Sequence, residues 1–114
     1  MSIHQTVDGR IASQYSVGIR QSTDMQQVSQ RDILLDRVDG KIMVHIVGTD
    51  CSYEVFRWMR TDANEGKRVE VKISNNYTWY FEFKSLFKVY QFLEQLRIFH
   101  YLSLDSRINL PVEE

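Results

Sequence analysis

The sequence holds a single cysteine, Cys51, among 114 residues. One thiol excludes an intramolecular disulfide framework and fits a reducing compartment. The five glycines, Gly9, Gly18, Gly40, Gly48 and Gly66, fall singly. None has the clustered spacing with which backbone amides cradle a phosphate. No apolar run approaches the ~20 residues of a membrane span. The opening Met-Ser-Ile-His-Gln has neither the basic nor the apolar region of a signal peptide. A soluble cytoplasmic protein is the expectation. Neither sign of charge is in excess, with fourteen Lys and Arg against fifteen Asp and Glu. Long-range attraction to nucleic acid or to a membrane is correspondingly weak. His4, His45, His100 and Cys51 show no two-ligand spacing such as Cys-x-x-Cys, and no calcium-loop pattern surrounds Asp36 and Asp39. Neither a metal nor a cofactor is expected.

What is present is patterned. Asp39-Gly40 is the favoured pair for a two-residue hairpin turn, because both central residues need positive φ. Pairing across it sets Leu35 opposite Val44 and Ile33 opposite Ile46, with Ile42 on the same inward face. A second hairpin follows near Asn75-Asn76. A two-residue loop there mismatches the faces, whereas a three-residue loop, Ser74-Asn75-Asn76, pairs Ile73 with Tyr77, Val71 with Trp79 and Val69 with Phe81. Its outward pairs are then Lys72–Thr78, Glu70–Tyr80 and Arg68–Glu82.

An amphipathic segment follows each hairpin. Cys51, Ser52, Val55, Phe56, Trp58 and Met59 cluster at 100° per residue, which predicts a helix capped by Thr49 or Asp50 and ended at Gly66. Ser85 caps a second, long helix that meets no Gly or Pro between Leu86 and Leu102. Leu86, Val89, Tyr90, Leu93, Leu96 and His100 form its packing stripe; residues 97–104 are also rich enough in aromatic and branched groups to read as strand. The two segments resemble one another, Tyr53-Glu-Val-Phe-Arg-Trp-Met-Arg60 against Tyr90-Gln-Phe-Leu-Glu-Gln-Leu-Arg97, as an internal duplication would.

The expected fold is therefore α+β: a four-stranded antiparallel sheet built from two ββα units over residues 33–104, with both helices on one face. Residues 1–32 read as an N-terminal arm. In it Tyr15, Val17 and Ile19 alternate as a fifth, edge strand, and the capping-box spacing of Thr23 and Gln26 suggests a short helix over residues 24–30. Residues 105–114 read as an extended acidic tail.

Candidate chemistry is sparse. Cys51 near a helix N-terminus, with His45 six residues earlier, is the one nucleophile–base pair to weigh. Its place beside Val55 and Met59 reads instead as a buried structural thiol, so no catalytic residue is expected. Nucleic-acid binding rests on Arg57, Arg60, Lys67, Arg68, Lys72, Lys84 and Lys88, with Tyr53, Tyr77 and Tyr80 available for stacking. Seven basic residues meet four acidic ones between 57 and 88, leaving +3.

The expectation for function is a non-enzymatic protein-interaction protein: a homo-oligomer, or a small subunit or inhibitor of a larger protein, such as a viral or phage accessory protein. Single-stranded nucleic-acid binding through Tyr53, Arg57, Arg60, Lys67, Arg68, Lys72 and Tyr80 is the alternative. Apolar surface exceeds what one small core covers. The surplus falls on Phe87, Phe92, Ile98, Phe99 and Leu102, off the packing stripe of the last helix, and on Leu34, Met43 and Val47 of the open sheet face. Exposed apolar patches of that kind mark contacts.

Overall fold

Period-two alternation, rather than helical periodicity, governs most of the described residues before the last helix. The computed structural model describes residues 2–5, 11–73 and 77–109, with side chains over 12–73 and 77–102. Among them run β1 (Ser2–Gln5), β2 (Ile11–Gln21), β3 (Asp24–Val38), β4 (Lys41–Ile46), β5 (Ser52–Glu54), β6 (Arg57–Arg60), β7 (Arg68–Lys72), β8 (Thr78–Glu82) and one helix, α1 (Leu86–Asn109). Seven strands form an antiparallel sheet in the order β5-β4-β3-β2-β8-β7-β6, and the short β1 pairs with the start of β2.

The two ends of that strand order are halves of one segment. β5 pairs with β4, with Val44 opposite Tyr53, while β6 pairs with β7, with Val71 opposite Trp58. Only Val55 and Phe56 lie between them. The Val55 N–H donates to Ile42 O (2.8 Å) and the Phe56 N–H to Lys72 O (2.8 Å), one into each half of the sheet. The sheet is thereby folded back on itself around a core that includes Tyr15, Val17, Ile33, Leu35, Val44, Val69, Val71 and Phe81. α1 adds Val89, Phe92, Leu96 and Phe99 to that core.

Both hairpins have the expected register. Asp39 and Gly40 take φ of 53° and 78° and set Leu35 against Val44 and Ile33 against Ile46. The second hairpin pairs Val71 with Trp79, Val69 with Phe81 and Arg68 with Glu82. The Ile73 N–H donates to Tyr77 O (3.3 Å), although the loop at 74–76 itself lies outside the described residues.

The two-ββα architecture is corrected, because among the described residues there is one α-helix and not two, with only a short 3-10 turn at Ala63–Gly66. Residues 52–60, expected as helix, are strand broken by a bulge: Phe56 and Arg57 both stand opposite Lys72. The extra residue flips the side-chain phase, so the inward positions run Tyr53, Val55, Trp58 and Arg60. That spacing mimics a helical stripe. Thr49, expected as a helix cap, instead closes a turn, its hydroxyl donating to Ile46 O (2.8 Å) and accepting from the Cys51 N–H (3.0 Å).

The expected arm is corrected as well. β2 is a central strand between β3 and β8, and the boundary drawn at residue 32 falls inside β3. Residues 24–30, expected as a short helix, belong to β3, which turns at Ser22-Thr23 to set Asp24 opposite Gln21. Between the pairs Ile19–Ser29 and Gln21–Asp24, β2 has one residue and β3 has four, so β3 bulges there. The Arg20 Nη1 donates to Met25 O (2.7 Å) and ties the bulge back.

The long helix forms as expected, with the Lys88 N–H donating to the Ser85 hydroxyl (3.2 Å). It continues to Asn109, so residues 105–109 of the expected extended tail are helical; 110–114 lie outside the described residues. Its buried face is Val89, Phe92, Leu96 and Phe99, while Leu86, Tyr90 and His100 of the expected stripe are exposed. At 100° per residue the helix is turned by roughly a quarter turn from the expected orientation. The cause is aromatic: Phe92 enters between Tyr15, Phe81 and Phe83, at ring-centroid distances of 5.2, 5.8 and 5.0 Å. The Tyr15 phenol is pushed up to about 12 by this burial.

Candidate protein-interaction surface

A strand that joins two sheet halves leaves part of each edge unpaired, and β6 shows where. The Thr61 N–H donates to Arg68 O (3.2 Å), which fixes the phase of the β6–β7 ladder. Residues 57, 59 and 61 then bond to β7, and the backbone N–H and C=O groups of Trp58 and Arg60 point away from it. Among the described residues no strand pairs with β6 on that side. Such a row of free backbone groups is a template for another chain.

α1 runs beside this edge. The Arg60 guanidinium lies over the Tyr90 ring at 5.0 Å and also donates through Nε to Gly66 O (3.4 Å). His100 meets Trp58 edge-on at 5.8 Å. At helical spacing Leu86, Tyr90, Leu93, Arg97 and His100 share the flank of α1 nearest β6. Tyr90 is 50% exposed and Tyr101, at the outer end of the flank, 64%. Arg97 is held on the helix surface by Glu94 (Nε–Oε1 3.1 Å).

The residues expected to form an interface are scattered over three places. Phe87, Ile98 and Leu102 are exposed on the outside of α1. Leu34 and Met43 are half-buried on the outer face of β3 and β4, in a shallow depression of about 510 Å³ shared with Asp36, Lys41 and His45. Phe92 and Phe99 are 0% and 5% exposed, so their expected exposure is corrected: both rings fill the space enclosed by the folded-back sheet.

The basic and aromatic set is divided too. Arg57, Lys72, Arg68 and Tyr80 lie on the outer face of β6, β7 and β8, with Glu70 among them. Arg60 sits on the inner face opposite Val69, and Tyr53 packs against Trp79 at 4.8 Å. Lys67 pairs with Glu65 (3.3 Å). Arg68 donates to Glu82 through Nε (2.8 Å) and lies over the Tyr80 ring at 5.7 Å. Arg20 reaches the same carboxylate (3.0 Å). Burial raises the Glu82 carboxyl, but hydrogen bonds from Arg68 and Arg20 and their charges outweigh it and hold the group below the usual carboxylate range.

Cys51 is exposed, which corrects its expected place on a buried stripe. His45 engages the Ser52 hydroxyl (Nδ1–Oγ 2.9 Å), and the Cys51 thiol beside Tyr53 raises that phenol through a hydrogen bond. His100, expected in the core, is exposed. Among the described residues no three His, Cys, Asp or Glu groups converge as metal ligands, and no helix is long and apolar enough to cross a membrane. Against protein-family models, curated proteins and solved structures, the chain has no match.

Sequence reasoning missed the β6 edge. Its two free backbone positions depend on the bulge at Phe56 and Arg57, and no residue type announces a bulge. The one available signal was the run Tyr53, Val55, Phe56 and Trp58, whose aromatic and branched side chains favour strand over helix.

Proposed function

We propose that this chain is a non-enzymatic protein-interaction domain that receives an extended segment of a partner protein along β6, beneath the exposed flank of α1. The observation that carries this reading is the unpaired backbone of Trp58 and Arg60 beside Tyr90 and Leu93. Addition of a strand to an open sheet edge draws affinity from main-chain hydrogen bonds and specificity from neighbouring side-chain contacts. Tyr90 and Tyr101 supply large amphipathic surfaces of the type enriched at interfaces. Phe87, Ile98 and Leu102 extend the apolar surface over the top of the helix. Arg57 and Arg60, two charges in a four-residue strand, discourage indiscriminate edge pairing. The nucleic-acid alternative receives less support, because Lys67 and Arg68 of its basic set are paired with carboxylates and its tyrosines face different sides.

The test is selection of extended peptides from a random display library against the whole chain, followed by hydrogen exchange. Bound peptides are expected to slow exchange of the Trp58 and Arg60 amides. Arg60→Pro removes a donor that points away from β7, so it should abolish binding while the β6–β7 ladder survives. Selected peptides that bind Arg60→Pro and Tyr90→Ala as tightly as wild type would refute the site.

A further inference from the structure

A second open edge belongs to β3 and is independent of β6. β4 pairs with residues 33–38 of β3, and the Val47 N–H closes that ladder by donating to Asp32 O (2.9 Å). From Asp24 to Arg31, β3 has β2 on one side and, among the described residues, no strand on the other. Because Asp32 turns its backbone groups away from β2, alternation turns those of Gln30 and Val28 the same way. The Gln30 carbonyl is met there by its own neighbour, the Arg31 Nη1 at 3.3 Å.

Open edges are ordinarily guarded by shortness or by charge. β5 is three residues long, and β6 carries Arg57 and Arg60. Residues 25–30 of β3, Met-Gln-Gln-Val-Ser-Gln, hold neither a charge nor a proline, and all but Met25 are exposed. The charges stand at the two ends. Arg31 lies opposite Val17 and Asp24 opposite Gln21, so the bulge in β3 brings both to one face, four β2 positions apart. Midway between them is the pair Ile19–Ser29. Neither Asp24 nor Arg31 makes an ion pair with a described residue. An antiparallel copy of this segment therefore complements it: opposite charges meet at both ends, and the free backbone groups fall opposite one another.

We infer that this edge pairs with the same edge of a second copy of the chain, antiparallel about a two-fold axis at Ser29. Val28 of each copy then exchanges both main-chain hydrogen bonds with Gln30 of the other, and the two Ser29 residues face each other as a pair without hydrogen bonds. Each Arg31 leaves the Gln30 carbonyl of its own chain, which accepts instead from the Val28 N–H of the second copy, and turns to the Asp24 carboxylate beside it. Two residues per copy supply the main-chain bonds, so the dimer belongs to the weak, concentration-dependent class.

The experiment is sedimentation equilibrium of the full chain at low salt, at protein concentrations up to about 1 mM. A monomer–dimer equilibrium with a dissociation constant of about 100 µM or tighter is expected. Arg31→Glu sets like charges together at both ends and should weaken the dimer about tenfold. Asp24→Lys added to Arg31→Glu exchanges the two signs and should restore it. Asp24, Ser29 and Arg31 are all exposed, and the circular dichroism of each variant reports whether the fold is kept. A second measurement reads the register and needs no charge variant. In a Cys51→Ser background, Ser29→Cys places two thiols across a pair whose Cα atoms lie about 4.5 Å apart, within disulfide reach. Oxidised glutathione should link that variant into a covalent dimer. A chain that stays monomeric at about 1 mM, charge variants that leave the dimer unchanged, or a dimer that Ser29→Cys fails to link overturns the inference. A dimer that Arg60→Pro dissolves would lie on β6 and overturn it as well.

Discussion

Phe92 is the residue on which the fold makes its sharpest quantitative claim. Its side chain is fully buried, and three aromatic rings from β2, β8 and the residue after β8 surround it within 5.8 Å. Phe92→Ala removes the buried ring and leaves a cavity, which costs about 3–5 kcal/mol. Each lost edge-to-face partner adds toward the upper end, at about 0.5–1.5 kcal/mol per pair. A domain of this length unfolds with an entropy of roughly 0.24 kcal/mol/K, so the melting temperature should fall by roughly 12–20 °C. Phe92→Glu, which buries a charge in the same space, should not fold at all. Phe87, five residues earlier on another face of the helix and 66% exposed, is the internal control, and Phe87→Ala should stay within about 0.5 kcal/mol of wild type. Urea unfolding followed by the fluorescence of Trp58 and Trp79, with calorimetry for the melting temperature, measures both. Equal stabilities for Phe92→Ala and Phe87→Ala would refute the helix orientation, and with it the enclosure of α1's aromatic face by the sheet.

Two further outcomes follow from the same geometry. Glu82 has its folded-state pKa lowered by Arg68 and Arg20, so its contribution to stability is present above the unfolded value of 4.5 and is lost as pH falls below it. Glu82→Gln should destabilise at neutral pH by about 1–3 kcal/mol and flatten the acid limb of a stability-versus-pH curve measured by urea titration; an acid limb identical to that of wild type would show the cluster to be inert. Cys51, exposed at the end of a turn, should react with a disulfide reagent in the native protein as fast as in urea; slow native labelling would return the thiol to a buried site.

Legibility in the sequence followed the range over which each feature is determined. The registers across Asp39-Gly40 and between β7 and β8 are local, and matching apolar faces across each leaves one choice. Both came through to the residue pair. The segment from Tyr53 to Arg60 is decided elsewhere. Its first half satisfies β4 and its second half β7, and the bulge that lets one segment do both destroys the alternation that would have declared it a strand. Its likeness to the Tyr90–Arg97 stretch then reinforced a helical reading of both, yet only the latter is helix. β2 misled for another reason. Ser16 and Arg20 are polar because they face outward, and Gly18 leaves room for the Val28 and Gln30 side chains that cover it, which together look like the composition of an arm. Pairing with β8, from Gly18–Glu82 to Gln21–Trp79, makes β2 a central strand, and partners so far along the chain leave no mark in the strand itself.

The orientation of α1 shows why interface residues were harder to place than strands. A helix with apolar groups nearly all round offers several packing faces, and intrinsic patterning does not choose among them. The choice is made by the cavity it must fill. Tyr15, Phe81 and Phe83 line one end of the folded-back sheet with rings, and Phe92 and Phe99 match that space better than Leu86, Tyr90 and His100 do. Once the phenylalanines are drawn in, Tyr90 and His100 turn toward β6, where Arg60 and Trp58 meet them. The candidate surface is therefore a consequence of core packing. The rings that were expected to bind a partner fix the helix, and by fixing it they bring a different pair of aromatic groups to the open edge of β6.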